Sequence, residues 1–164
     1  MTNYFESRIA KLQKLLKKLA LDGLVVYQGA NTKYLTGFDG GTGDGVVVVG
    51  PDRARLITDA RYEEDYKDRL PEGVDFMVTR AYYEAAAQTA VEFGIKRLGF
   101  EASMPYAVYD VMDELLPADI SFDAVPEAIE ALREVKDEAE LAALRRAADA
   151  SIKAFNDLMT FIKP

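Results

Sequence analysis

The sequence predicts an α/β domain, a mixed β-sheet with helices flanking it. Three observations carry this. Short apolar runs rich in valine and isoleucine alternate along the chain with longer stretches of helical periodicity. Two of those runs, residues 46–49 and 54–58, are separated only by the turn sequence Gly50-Pro51-Asp52-Arg53, which adds an antiparallel hairpin to strands otherwise joined through helices. Hydrophobic residues are 49% and charged residues 29% of a 164-residue chain, a composition that supports a buried core.

The elements follow in order. Asn3 and Glu6 have the spacing of a helix cap and its partner. Phe5, Ile9, Leu12, Leu15, Leu16 and Leu19 then recur at helical spacing until Asp22-Gly23 ends the helix. Residues 24–27 read as a short strand, 31–35 as a brief helix or turn, and 37–45 as a glycine-rich loop. The hairpin comes next. Asp59 is placed to cap a helix from residue 60 to about residue 70, broken by Pro71-Glu72-Gly73. Residues 74–79 alternate as a strand, 82–93 form a helix ended by Gly94, 97–101 a strand, 105–116 a helix and 120–125 a strand. The mixed charges of residues 130–140 read as a solvated surface between two helices. Asp137 caps a long final helix with an apolar stripe of Leu141, Leu144, Ala148, Ile152, Phe155 and Met159. Apolar character continues through Phe161 and Ile162, which implies more chain for the stripe to pack against and a cut close to a domain boundary.

Composition excludes several chemistries. There is no cysteine and no histidine, so thiol catalysis, Ser-His-Asp machinery and His or Cys metal sites cannot be built from these residues. A formal charge of -8 repels phosphate backbones and anionic lipid, so neither nucleic acid nor a membrane is an expected partner. No apolar run approaches the ~20 residues of a membrane helix. The start lacks a basic then apolar leader, which reads as a cytoplasmic protein without a signal peptide. Lys11, Lys14, Lys17 and Lys18 fit the solvated face of the first helix.

Candidate sites lie in three places. The loop Gly37-Phe38-Asp39-Gly40-Gly41-Thr42-Gly43-Asp44-Gly45 holds five of the chain's 11 glycines. It lacks the strand before and helix after that a dinucleotide fingerprint needs, and it lacks the acids of a calcium loop. Two readings remain: a plain connector, or a loop that closes over a ligand held elsewhere. In Thr58-Asp59-Ala60-Arg61-Tyr62, Asp59 serves as a cap and Tyr62 as packing, or Arg61 offers its fork to a substrate carboxylate. Glu101, at a strand end, fits a structural hydrogen-bonding role.

Four segments taken together resemble the amino-terminal domain of the creatinase and prolidase family. Asn31-Thr32-Lys33-Tyr34-Leu35-Thr36-Gly37-Phe38 is similar to its Asn-x-x-Tyr-Leu-Thr-Gly-Phe motif, and Thr58-Asp59-Ala60-Arg61-Tyr62 to its Thr-Asp-x-Arg-Tyr. Gly99-Phe100-Glu101 matches its Gly-Phe-Glu strand. Residues 132–141, Leu-Arg-Glu-Val-Lys-Asp-Glu-Ala-Glu-Leu, resemble the segment that leads to the catalytic domain. The resemblance implies a ribonuclease H-like fold over residues 1–136, and over residues 137–164 a linker helix into a carboxy-terminal "pita-bread" domain. That domain would hold two divalent metals, manganese or cobalt, and hydrolyse Xaa-Pro bonds. None of its ligands falls on this chain, so no catalytic or metal residue is expected here. The implied roles are contact with the chain's own catalytic domain, homodimer contacts and gating of short proline-containing peptides, with Phe38, Asp39, Asp44, Arg61 and Tyr62 facing substrate. A stand-alone binding module of the same ancestry is the alternative.

Overall fold

The computed structural model describes residues 4–162, and the expected cap at Asn3 lies outside them. Contacts divide the chain into two units, residues 1–132 and 133–164. The first contains α1 (Tyr4–Lys18), β1 (Gly23–Val26), α2 (Gly29–Thr36), β2 (Gly45–Val49), β3 (Ala54–Thr58), α3 (Glu63–Tyr66), β4 (Val74–Val78), α4 (Tyr82–Glu92), β5 (Arg97–Glu101), α5 (Tyr106–Leu115) and β6 (Ser121–Val125). A further helix, α6 (Ala128–Glu134), begins in it.

Six strands form one sheet in the order β4-β3-β2-β1-β5-β6. β2 pairs antiparallel with β1 and β3, and the other pairings are parallel. Every strand but β2 therefore points the same way, and the carboxyl ends of β1, β3, β4, β5 and β6 share one edge with the start of β2. The valine run of β2 is buried throughout, as expected of a central strand covered on both faces. Val46 and Val48 pack with Ala86, Ala90 and Met112 beneath α4 and α5. Val47 and Val49 pack with Leu12, Leu16, Leu35 and Ile129 beneath α1, α2 and α6. The period of two along the strand thus serves two cores.

Adjacent parallel strands β1 and β5 send their chains to opposite faces: β1 continues into α2 and β5 into α5. Such a divergence opens a crevice at the carboxyl ends, where α/β sheets commonly bind ligands. Gly37 closes α2 in the left-handed region, at φ 80°, and its N–H reaches Lys33 O.

Two expectations need correction. The helix foreseen from residue 60 to about 70 is the four-residue α3, and no residue of it is buried. A short, highly charged segment whose Tyr62, Tyr66 and Leu70 are only partly buried gains too little from packing to sustain further turns. Nor does Asp59 cap it, because its carboxylate is engaged by Arg61 and Tyr82. None of residues 130–140 is buried, as foreseen, but they do not simply lie between two helices, since residues 130–134 belong to α6. In α6, Ala128 and Ile129 are buried against α1 and α2, a signal present in the sequence as Ile129 and Leu132 at i, i+3.

In the second unit, α7 (Glu138–Met159) starts at a capping box: Asp137 accepts from Glu140 N–H while the Glu140 carboxylate accepts from Asp137 N–H. Leu144, Ile152, Phe155, Leu158 and Met159 are all at least half exposed.

Candidate functional site at the carboxyl edge of the sheet

Two polar clusters occupy the shared strand edge. The first is built on the end of β3. Asp59 is almost wholly buried, and its carboxylate accepts Arg61 Nε at 2.9 Å and Nη2 at 2.8 Å, the Arg61 backbone N–H at 2.9 Å and the Tyr82 hydroxyl at 2.7 Å. The same Nη2 donates to Asp44 Oδ1 at 2.9 Å, so Arg61 clasps the glycine-rich loop to the strand end. The Arg61 hydrogen bonds hold the Asp59 carboxyl well below its usual range, and the Tyr82 hydroxyl adds to this. Asp44 is lowered by Arg61 first and the Gly41 N–H next. Arg61 is raised by its bonds to Asp59 and Asp44, and the Tyr82 hydroxyl is raised by burial and then by Asp59.

The loop is pinned along its length. Phe38 is fully buried and makes edge-to-face contacts with Tyr62 and Tyr66 at centroid distances of 5.0 and 5.1 Å. Gly40 lies so close that a Cβ there would overlap the Phe38 ring. Tyr66 OH receives Asp39 N–H at 3.0 Å, Gly41 N–H reaches Asp44 Oδ2 at 2.9 Å, and the Thr58 hydroxyl donates to Asp44 O at 2.6 Å. Lys33 pairs with Asp39 at 2.7 Å in the open.

The second cluster fills the β1/β5 crevice. Glu101, 5% exposed, accepts the backbone N–H groups of Tyr27 and Gln28 at 2.6 and 2.7 Å and Asn31 Nδ2 at 2.6 Å. Asn31 Nδ2 also donates to Glu130 Oε1 at 2.6 Å. Burial pushes the Glu101 carboxyl up, the three hydrogen bonds oppose this, and the nearby Glu130 charge adds to it. A cavity of about 460 Å³ opens beside it, lined by Glu101, Ser103, Glu127 and Glu130 among others. Gln28 joins the clusters, accepting the Thr42 hydroxyl of the loop at 3.4 Å and donating to Ser103 Oγ at 3.1 Å.

Of the five residues expected to face substrate, the structure brings Asp44, Arg61 and Tyr62 together and leaves Asp39 exposed nearby. Phe38 lies inside, as packing beneath the loop. The Arg61 fork is filled by Asp59. Gln28, Tyr82 and Glu130 belong to the strip and went unnoticed, because each is joined to it by contacts remote in sequence. Among the described residues no group of three or more His, Cys, Asp or Glu is arranged to hold a metal ion. The chain has no histidine or cysteine, so a metal centre that needs either ligand does not fit its residues. No helix among the described residues is long and apolar enough to cross a membrane.

This sheet order, with a pinned polar strip at the carboxyl edge, defines the class: an α/β domain built on a six-stranded mixed sheet. More particularly, the chain belongs to the Creatinase/Prolidase N-terminal domain family, whose profile matches residues 8–135. It is 35% identical over 158 residues to an uncharacterized peptidase, YqhT, of Bacillus subtilis, covering 96% of this chain and 44% of the relative. Its fold is similar to an Xaa-Pro dipeptidase from Bacillus anthracis (TM-score 0.88, 28% identity, 98% of this chain and 44% of that one). It is also similar to an Xaa-Pro aminopeptidase from Streptococcus pyogenes (TM-score 0.72, 30% identity, 80% of this chain and 99% of that one). The chain thus spans less than half the length of the YqhT relative and of the dipeptidase.

Proposed function

We propose that this chain is the non-catalytic amino-terminal domain of a cytoplasmic Xaa-Pro dipeptidase or aminopeptidase. In this reading a separate catalytic domain holds two divalent metals, manganese or cobalt, and hydrolyses the bond before proline. Residues 1–164 contribute dimer contacts and a wall that admits short proline-containing peptides. The observation that carries it is the family match across residues 8–135, together with a loop hydrogen-bonded to the sheet edge. Asp39, Asp44, Arg61 and Tyr62 are the polar face of that wall, and Phe38 is its buried footing. A preformed rim selects by shape and charge without an ordering step at each binding event.

The test is hydrolysis of Xaa-Pro dipeptides and longer Xaa-Pro peptides by the full natural protein with added manganese or cobalt, beside residues 1–164 alone. Activity in the full protein and none in residues 1–164 supports the reading. An inactive full protein that still binds proline peptides supports a binding module of peptidase ancestry instead.

A further inference from the structure

One stretch accounts for the formal charge of the whole protein. Between Arg97 and Arg133 lie eight Asp and Glu and no Lys or Arg, a balance equal to the -8 of the entire chain. Part of this charge is already engaged. Glu101 and Glu130 share Asn31, and Asp119 pairs with Lys96. Asp110 and Asp113 of α5 are exposed, and no cation among the described residues pairs with either.

Those two acids border an aromatic ladder. Tyr106 is 75% exposed, with its ring 6.0 Å from that of Tyr109. Tyr109 stacks on Phe122 of β6 at 5.6 Å and 3°, and Phe122 leans on the buried Phe100 at 4.4 Å. Helical spacing sets Tyr106, Tyr109, Asp110 and Asp113 on one side of α5. The Tyr106 hydroxyl donates to Asp110 at 3.3 Å, and its pKa is raised by the charges of Asp110 first and Asp113 last.

An exposed tyrosine backed by the half-buried rings of Tyr109 and Phe122 offers a partner a stacking surface, and the surrounding charge selects which. A second copy of this face would bring the same carboxylates and be repelled. A guanidinium suits both features, since it stacks on aromatic rings and forks onto carboxylates. We infer that the α5–β6 patch docks a basic segment of a partner protein, with an arginine side chain lying on Tyr106 and Tyr109 and held by Asp110 and Asp113. This does not depend on the proposed peptidase role.

The experiment is fluorescence anisotropy with a labelled, end-capped peptide of alternating Arg and Pro, compared with its Glu–Pro counterpart, at low and physiological salt. The Arg–Pro peptide is expected to bind and the Glu–Pro peptide not to. Replacing both acids (Asp110→Asn with Asp113→Asn) should weaken binding about fivefold, and Tyr106→Ala roughly threefold. Tyr106 is open to solvent, so that variant keeps its fold. The inference is overturned if the Arg–Pro peptide does not bind. It is equally overturned if the remote pair Glu63→Gln with Glu72→Gln weakens binding as much, which would make the attraction a property of net charge. Self-association at low salt, lost in Lys11→Gln with Lys14→Gln, would also overturn it by seating the α1 lysines of a second copy on the patch.

Discussion

Glu101 ends β5 and Asp59 follows β3, with β2 and β1 between them on the same sheet edge, and both are nearly buried carboxylates. Their surroundings drive them apart. Asp59 faces a guanidinium and is held low. Glu101 faces two backbone N–H groups and an amide, with another carboxylate beyond, and is pushed up. A buried acid given a full counter-charge stays ionised, whereas one given only neutral donors keeps a larger share of its desolvation penalty. The first arrangement suits a clasp on a loop, the second a plug in a crevice.

The largest effect expected from this contrast comes from emptying the plug. Glu101→Ala leaves the Tyr27 and Gln28 N–H groups and the Asn31 amide without their acceptor in a crevice that is partly closed. Orphaned buried donors cost about 1–3 kcal/mol each and do not add fully, so a loss of about 3 kcal/mol is expected in urea unfolding at neutral pH. A loss under about 1 kcal/mol would mean that water replaces the carboxylate and the crevice is open.

Next in size is an opposed response to pH. The folded state holds the Glu101 proton more tightly than the unfolded chain does. Its stabilising contribution is therefore present below the ordinary value of 4.5 and lost as pH rises through the raised folded value. Asp59 works the other way, present above 3.8 and lost as pH falls through its lowered value. Stability measured as a function of pH should show wild type gaining on Glu101→Gln as pH drops and losing its margin over Asp59→Asn. Parallel curves would erase the distinction between clasp and plug.

Much of this edge was legible in the sequence, for reasons that differ by residue. Gly37 ends α2 because a left-handed residue is needed there, and the helix before it has the expected place. The alternation of β2 and the cap at Asp137 are local signals that tertiary packing left intact. The segment after Asp59 misled because Tyr62, Tyr66 and Leu70 have helical spacing, yet their packing does not require a helix. The loop's five glycines left a connector and a closing loop both open, because the contacts that pin it come from Tyr66, Thr58 and Arg61, which are distant in sequence. Glu130 was missed because its partner, Asn31, lies 99 residues away.

A smaller and more local effect should follow from opening the clasp. Asp59→Asn removes the charge that orients Arg61, and with it the hold on Asp44. Hydrogen exchange at Gly41 and Asp44 should quicken while the amides of β2 and α4 keep their protection. Quickening throughout the sheet would make Asp59 a determinant of the whole fold, no different in kind from Glu101.

The smallest structural effect is expected at Asp39, and it separates stability from selection. Its pair with Lys33 is exposed on both sides, at 57% and 65%. Such a pair contributes about 0.2–0.5 kcal/mol and is screened by salt. The backbone of Asp39 is held independently by the Tyr66 hydroxyl, so Asp39→Asn should leave the loop in place and the unfolding midpoint almost unmoved. Asp44→Asn is a poorer probe, because Asp44 belongs to the clasp and its loss disturbs the loop itself. In the full protein, a rim carboxylate that meets substrate should act on KM and on the preference among acidic, neutral and basic first residues, with kcat for a good Xaa-Pro substrate nearly constant. The telling comparison is kcat/KM across those three classes for wild type and Asp39→Asn. A changed profile at unchanged stability marks the clasped loop as the selective part of the edge. Identical profiles would make it a connector, and the clasp and the plug would then both serve the fold alone.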